Sequence, residues 1–321
     1  MNLDRELAWL IVAVVVILVV ASLVSRVLRR RAKTEGARAT VENVISRTRA
    51  WWAMVAIFTF AILIGKTGTV ILFGLLSFMA LREFLTLTPT RPGDHRTLFW
   101  VFFIITPLHY WYLLDGWYGM FSIFIPVYAF LFVPMRSALA GDCERFLERT
   151  AKIQWGLLIC VYCVSHAPGL LMLDLRDYGG QNAKLLFWFV IIVEISDVLQ
   201  YVWGKTCGRR KIAPKVSPNK TWEGLVGGGL CTIVLGTSLC WVTPYSPLQA
   251  AGMSFIIVLT GFLGGLVMSA IKRDRGVKDW GHAIAGHGGV MDRLDSLCFA
   301  APVVFHLTRY GFDSHALLQA F

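Results

Sequence analysis

Long apolar runs separated by short polar and charged segments dominate the sequence. The runs fall near 7–25, 51–65, 68–87, 97–114, 117–135, 153–174, 183–203, 224–243, 248–271 and 296–311. Most approach the roughly 20 residues that an α-helix needs to cross the hydrocarbon core of a bilayer. The pattern predicts an all-α, polytopic transmembrane helical protein with about ten spans. A very short turn at 65–68 separates the second span from the third.

The distribution of charge predicts how these spans are oriented. Asp4-Arg5-Glu6 precedes the first apolar run and arginines follow it, whereas a cleaved signal peptide carries its basic residues first. We therefore expect a retained span with the N-terminus outside. With that orientation, the predicted inside loops hold every Lys and Arg except Arg5, Lys66, Arg176, Lys184 and Arg309. Such an excess of cations is typical of cytoplasmic loops.

Composition supports a membrane protein and argues against a nucleic-acid-binding protein. The 321 residues are 56% hydrophobic and 16% charged, whereas about a quarter of the residues in soluble domains are charged. The formal net charge of +11 would suit nucleic acid, but the topology and the anionic inner leaflet account for most of it. We expect membrane phospholipids as partners and no nucleic acid. The seven scattered cysteines indicate packing residues rather than a disulfide framework.

The spans and loops suggest three regions. Residues 1–50 hold an N-terminal membrane span and a basic interfacial segment, 51–182 an N-terminal transmembrane bundle, and 183–321 a catalytic transmembrane region. For the basic residues 26–50, two interpretations remain open: a helix lying on the headgroups and a solvated linker.

Residues 204–224 form the first of two charge-dense loops on the predicted inside. They carry Lys205 and the segment from Lys215 to Thr221, in which two prolines stiffen a backbone that bears lysines and hydroxyls. That combination suits fixed phosphate contacts, and a simple cationic anchor is the alternative. The glycines at 224 and 227–229 indicate helix packing.

Two acidic residues precede this loop inside an apolar run. Glu194 and Asp197 are three residues apart and so share a helix face. Because a carboxylate within a span is costly, it is a candidate for function, and an ion pair with a neighbouring span is the alternative.

The second loop, residues 269–295, combines cations, carboxylates and glycines. This mixture suits a phosphate-rich ligand held through a divalent metal. Asp292 and Asp295 are again three residues apart, so both could ligate Mg²⁺ while substrate phosphates complete its shell. His287, before two glycines, could contact phosphate, transfer a proton or cap a helix.

These loops also carry a resemblance to a known family. The pattern Ser269-x-Ile271-Lys272-Arg273-x4-Lys278-Asp279-x-Gly281, followed by His287-Gly288-Gly289-x2-Asp292-Arg293-x-Asp295, resembles the signature of the phosphatidate cytidylyltransferase (CDP-diacylglycerol synthase) family. The segment Lys215-Val-Ser-Pro-x-Lys220-Thr221-Trp222-Glu223-Gly224 resembles a second block of that family. The resemblance covers about 183–311 well, whereas the N-terminal half agrees only as a series of apolar spans.

The resemblance implies an integral membrane enzyme that condenses CTP with phosphatidate, giving CDP-diacylglycerol and pyrophosphate with Mg²⁺ required. It implies metal ligands at Asp197, Asp292 and Asp295; catalytic roles for Lys272, Arg273, Lys278, Asp279, His287 and Arg293; and substrate contacts by Lys205, Lys215, Ser217, Lys220, Thr221, Ser269, Gly288 and Gly289. We expect a multi-pass protein of a bacterial inner membrane with these loops facing the cytoplasm. A homodimer is left open.

Three departures from the family pattern predict a divergent branch. Gly264-Gly265 stands where Gly-Asp is usual, Ala285 where Pro is usual, and Val198-Leu199-Gln200 where small residues are usual. The missing carboxylate at 265 could weaken metal binding, shift the substrate or reduce activity. Two other functions therefore stay open: a CTP-dependent lipid kinase of the polyprenol type, which would release CDP, and a catalytically weakened paralogue that binds phospholipid or a partner. A transporter is disfavoured because no inverted repeat is visible.

Overall fold

A computed structural model describes residues 5–31, 34–283 and 288–314, and most of them are helical. In chain order the elements are α1 (Arg5–Arg31), α2 (Glu35–Ile64), α3 (Lys66–Leu87), α4 (Pro92–Asp115), α5 (Tyr118–Ala138), α6 (Phe146–Met172), α7 (Asn182–Thr206), β1 (Lys211–Ala213), β2 (Ser217–Thr221), α8 (Gly224–Ser238), α9 (Pro247–Asp274), α10 (Met291–Leu294) and α11 (Leu297–Phe312).

The predicted all-α membrane architecture is confirmed. Within the described ranges, eight helices are long and apolar enough to cross a membrane, namely α1 to α7 and α9. The two remaining apolar runs form α8 and α11, which are shorter, so each of the ten predicted runs corresponds to a helix. The outside position of the N-terminus stays a prediction.

The basic segment 26–50 is helical at both ends. It is divided between the last turns of α1 and the first half of α2. The two helices contact each other through an Arg29–Glu42 ion pair at 2.8 Å and a hydrogen bond of 3.1 Å from Trp52 Nε1 to Ser22 Oγ. The described part of the segment is therefore helical, and the choice between contact with headgroups and contact with solvent stays a prediction.

Local sequence explains where two of the helices begin. The chain turns between α2 and α3 at Gly65, whose φ of 100° favours glycine. This turn is the one predicted at 65–68. Helix α9 begins with a capping box, in which the amide of Ser246 donates to Gln249 Oε1 at 2.8 Å and Pro247 occupies the first helical position.

The apolar core lies between α3, α6, α7 and α11. Its largest fully buried side chains include Phe84, Trp188, Phe189 and Phe305. Helix α9 packs against α8 and α11, and α7 packs against the start of α8. A two-stranded antiparallel hairpin, β1–β2, connects α7 to α8. These contacts bring the ends of α7 and α9, the hairpin and α10 to a common cavity.

Candidate active site

A polar cavity of about 270 Å³ lies where α7, β2, α9 and α10 meet. Its lining includes eight of the residues predicted to bind metal or substrate or to take part in catalysis: Asp197, Ser217, Lys220, Thr221, Ser269, Asp292, Arg293 and Asp295. Both charge-dense loops therefore contribute to a single cavity. Glu194, Gly265 and Ser296 also line it.

Ser296 links the side chains of Asp197 and Asp295 through two hydrogen bonds. Ser296 Oγ donates to Asp197 Oδ2 at 2.8 Å, and the Ser296 amide donates to Asp295 Oδ1 at 2.8 Å. In the described part of the chain, the second oxygen of each carboxylate accepts no hydrogen bond. Burial raises the pKa of Asp295, and the neighbouring Asp197 carboxylate raises it further. A cation between the two carboxylates would relieve this cost.

Asp292 has different surroundings. Lys272 Nζ donates to its Oδ1 at 2.7 Å, and the amides of Trp280 and Gly289 donate to its Oδ2 at 2.8 and 2.9 Å. Only 4% of the Asp292 side chain and 10% of the Lys272 side chain are exposed. Three of the roughly four acceptor positions of this carboxylate are thus in use. Asp292 therefore joins the end of α9 to the loop that precedes α10.

The two signature glycines allow this close packing. Gly288 has a φ of 85°, and a Cβ there would lie 2.6 Å from Asp292 Oδ2. A Cβ at Gly289 would lie 2.3 Å from Glu83 Oε2. Neither glycine is among the residues that line the cavity. Their observed role is to let carboxylates approach the backbone, and the predicted substrate contacts stay predictions.

Glu83, on α3, is a residue that the sequence analysis missed. Its carboxylate accepts the amides of Val290 and Met291 at 2.9 and 2.8 Å. The adjacent Phe84 stacks on Trp280 with ring centroids 5.3 Å apart. Helix α3, from the predicted N-terminal bundle, thus holds both ends of the loop before α10. The sequence feature that could have identified Glu83 is its charge within an apolar run.

Lys220 occupies the space beside Gly265. Its ammonium donates to the carbonyl of Phe262 at 3.0 Å and lies 4.4 Å from the centre of that ring. A Cβ at Gly265 would lie only 2.8 Å from Lys220 Nζ. Burial lowers the pKa of Lys220, while the Asp197 and Asp295 carboxylates oppose that shift. The position that usually carries the family aspartate is therefore next to a half-buried cation.

Of the remaining predicted residues, Ser269 lines the cavity, and the others described here lie outside it. Ser269 Oγ donates to the Gly265 carbonyl at 2.6 Å. Arg273 connects the two loops, because Nε donates to the Val216 carbonyl at 3.3 Å and Nη1 to the Val277 carbonyl at 3.1 Å. Exposed residues that do not line the cavity are Lys205, Lys215, Lys278 and Asp279. His287 and the departure at Ala285 lie outside the described residues.

The hairpin loop is fixed by its own side chains. Thr221 Oγ1 accepts the Gly224 amide at 3.1 Å, and Glu223 accepts the amides of Arg209 and Arg210. A Cβ at Gly228 would lie 2.5 Å from the Gln200 backbone. The interpretation of these glycines as helix-packing residues is confirmed.

An apolar groove of about 470 Å³ adjoins the polar cavity. Its walls come from α2, α3, α7, α10 and α11, and include Trp51, Met54, Phe58, Phe73, Leu76, Val190, Leu294 and Leu297. Glu194 and Arg293 line both spaces. Arg293 Nε is buried and has no hydrogen-bond partner among the described residues. A guanidinium with an unused donor thus lies at the boundary between the polar and apolar spaces.

The carboxylates fit a metal that is held largely by its substrate. Among the described residues, no group of three or more His, Cys, Asp or Glu side chains is arranged to hold a metal ion. Mg²⁺, however, commonly binds one or two carboxylates and takes its other ligands from water and substrate phosphates. Asp197 and Asp295, each with one oxygen left over, meet that requirement.

Comparison with known proteins gives consistent matches along the chain. The model of a family described as "Cytidylyltransferase family" matches residues 45–311. A protein of Escherichia coli (strain K12) described as "Uncharacterized protein YnbB" is 40% identical over 311 residues, 96% of this chain and 99% of its own. Phosphatidate cytidylyltransferases of Mycobacterium leprae (strain TN) and Bacillus subtilis (strain 168) are 42% and 28% identical, over 53% and 78% of this chain and 53% and 92% of their own lengths.

Proposed function

The chain belongs to the cytidylyltransferase family, and from that premise we propose that it is a phosphatidate cytidylyltransferase of the bacterial inner membrane. It would convert CTP and phosphatidate to CDP-diacylglycerol and pyrophosphate. The family supports the nucleotidyl-transfer chemistry, while the choice of a lipid acceptor is supported by the shape of the site. The basic loops would face the cytoplasm, in keeping with their excess of cations.

One observation carries the proposal: a polar cavity and an apolar groove share Glu194 and Arg293 as lining residues. Phosphatidate is amphipathic, with a phosphate monoester attached to two acyl chains. Its chains would lie in the groove between α2 and α3, and its phosphate would reach Arg293. A guanidinium suits a phosphate because it donates parallel hydrogen bonds, and Arg293 Nε has no partner in the part of the chain that the structure describes.

In the proposed reaction, an oxygen of the lipid phosphate attacks the α-phosphorus of CTP. The new P–O bond forms as the bond from the α-phosphorus to the bridging oxygen breaks, and pyrophosphate leaves with the electron pair. A phosphate monoester is already anionic near neutral pH, so no strong general base is needed. The protein contributes mainly position and charge neutralisation. Lys220, partly buried and close to both aspartates, is placed to neutralise phosphate charge.

Mg²⁺ would be held by Asp197 and Asp295, and it would supply neutralisation of the triphosphate and of the leaving pyrophosphate. Ser296 orients both carboxylates through its hydroxyl and its amide. Asp292, which the resemblance assigns to the metal, also lines the cavity, but Lys272 and two amides already bind it. Its proposed part is to position the segment that carries Arg293.

The test uses the full-length chain purified in detergent, with CTP, Mg²⁺ and phosphatidate. We expect release of pyrophosphate and formation of CDP-diacylglycerol, and Asp295→Asn should reduce turnover by about a hundredfold. Asp274→Asn is the matched control, because Asp274 is exposed and pairs only with its neighbour Arg275. Release of CDP in place of pyrophosphate would instead identify the lipid kinase, and equal turnover of both variants would remove Asp295 from the site.

Gly265 favours a second candidate, a paralogue with weakened catalysis that binds phospholipid. If the missing carboxylate limits turnover, Gly265→Asp should raise turnover and lower the Mg²⁺ concentration that is needed. Gly265→Ala separates charge from size, since its Cβ meets Lys220 in the same way without adding a carboxylate. Equal loss of activity in both variants would show that displacement of Lys220 decides the outcome.

A further inference from the structure

A second groove lies on the outer side of the contact between α7 and α8. It has a volume of about 610 Å³ and is lined by Trp203, Arg210, Trp222, Val226 and Gly227, together with Cys207 and Glu223. None of these residues lines the polar cavity. The groove is therefore separate from the proposed active site, and an inference about it does not depend on the proposed reaction.

The backbone of α8 at Gly227 forms the floor of this groove. A Cβ at Gly227 would lie 2.6 Å from the Trp203 ring, so the indole packs directly on the backbone of α8. Much of the apolar lining stays exposed: 37% of Trp203, 53% of Trp222 and 55% of Val226. Tryptophan at the end of a membrane helix is typical of the boundary between acyl chains and headgroups. The groove thus offers an aromatic and aliphatic wall at that depth.

The opposite side of the groove is cationic. Exposed basic residues lie along the connection from α7 to β1, namely Lys205, Arg209, Arg210 and Lys211. The nearby carboxylate, Glu223, accepts the backbone amides of Arg209 and Arg210 at 2.9 and 3.1 Å. These backbone hydrogen bonds lower the pKa of Glu223, so the carboxylate stays ionised while it fixes the loop. The four exposed cations of this connection still outnumber that one negative charge.

We propose that this groove binds an anionic phospholipid, with the phosphate on Arg210 and an acyl chain along Trp203, Trp222 and Val226. A cation next to an exposed apolar wall, at the end of two membrane helices, matches the arrangement of charge and hydrocarbon in a lipid of the inner leaflet. A soluble anion would use the cation alone and leave the aromatic wall uncovered. The site would hold a lipid beside the enzyme rather than a substrate in its cavity.

Two arginines supply a matched test. Arg210→Gln and Arg209→Gln each remove one positive charge from the same exposed loop, and each keeps the backbone amide that binds Glu223. Only Arg210 lines the groove. The full-length chain in neutral detergent would be titrated with dioleoylphosphatidylglycerol, dioleoylphosphatidylcholine or inorganic phosphate, and bound lipid would be counted by native mass spectrometry.

The wild type should retain phosphatidylglycerol in preference to phosphatidylcholine. Arg210→Gln should weaken that binding about tenfold, the loss of one good charge-assisted contact, while Arg209→Gln should change it less than about twofold. Trp222→Ala should also weaken it, with an unchanged size-exclusion profile showing that the variant folds. Equal effects of the two arginine variants would indicate diffuse charge attraction and overturn the site, as would competition by millimolar phosphate or no preference for the anionic lipid.

Discussion

The buried Lys272–Asp292 pair and the less fully bonded carboxylate of Asp295 predict opposite consequences for two similar substitutions. The resemblance to the family gives Asp292 and Asp295 the same role as metal ligands. In the structure Asp292 is bound by Lys272 and by two backbone amides, whereas among the described residues the Asp295 carboxylate accepts one hydrogen bond, from the Ser296 amide. Asp292→Asn should therefore destabilise the protein, and Asp295→Asn should lower turnover with little loss of stability.

The magnitude follows from the burial of the pair. Removing one partner of a buried ion pair costs about 3–5 kcal/mol, because the remaining charge stays buried without compensation. The Lys272 side chain is 10% exposed and lies 2.7 Å from the Asp292 carboxylate. At about 2 °C for each kcal/mol in a chain of this size, Asp292→Asn should lower the unfolding temperature by at least about 6 °C. In Asp295→Asn the amide oxygen can keep the Ser296 contact, so the unfolding temperature should fall by no more than about 2 °C.

The assay heats detergent-solubilised protein and follows the folded fraction by fluorescence-detected size exclusion, with EDTA present so that metal binding does not contribute. The double variant Lys272→Met/Asp292→Asn is the control, since removing both charges should recover part of the lost stability. If Asp292→Asn keeps the wild-type unfolding temperature and still loses turnover, Asp292 acts mainly as a metal ligand and the reasoning from its contacts is wrong.

Two further predictions test the loop and the cavity. Glu83→Gln should increase hydrogen exchange at the amides of Val290 and Met291, because it removes the charge that both amides bind, whereas Arg82→Gln, on the exposed side of the same helix, should leave exchange unchanged. Burial raises the pKa of the Asp295 carboxyl in the folded state, so folding favours the protonated form. The folding stability that this preference gives is fully present below the ordinary pKa of an aspartate, and it is lost as the pH rises through the raised pKa. With EDTA present, wild type should therefore lose stability relative to Asp295→Asn between about pH 4 and about pH 6, and a constant difference would contradict the assigned burial.

The fold was largely predictable because membrane helices are marked by composition alone. Each apolar run corresponds to a helix, and the turn at Gly65 lies where the sequence predicted it. The meeting of the two charged loops was also predictable, since family-like motifs assign Asp197, Lys220 and Asp295 to one site, and all three line the same cavity.

What could not be predicted are contacts between distant segments. Glu83 lies more than two hundred residues from the amides that it binds, and in the sequence it is only a charged residue near the end of an apolar run. The partners of Asp292 were equally hidden, because spacing showed that it shares a helix face with Asp295 but not that Lys272 would reach it. Local periodicity reports a residue's own element, whereas these roles depend on which elements pack together.

The absence of a carboxylate at Gly265 and the position of Lys220 bear on the same question, how the cavity balances charge. A Cβ at position 265 would contact Lys220 Nζ. The Asp197 and Asp295 carboxylates raise the pKa of Lys220 against the effect of burial. With two carboxylates and a cation so close, the protein alone would attract a divalent metal more weakly than three carboxylates would. Substrate phosphates would then have to supply more of the attraction. On this basis the metal would enter mainly with the nucleotide, and Lys220 would keep the empty cavity from carrying two uncompensated negative charges.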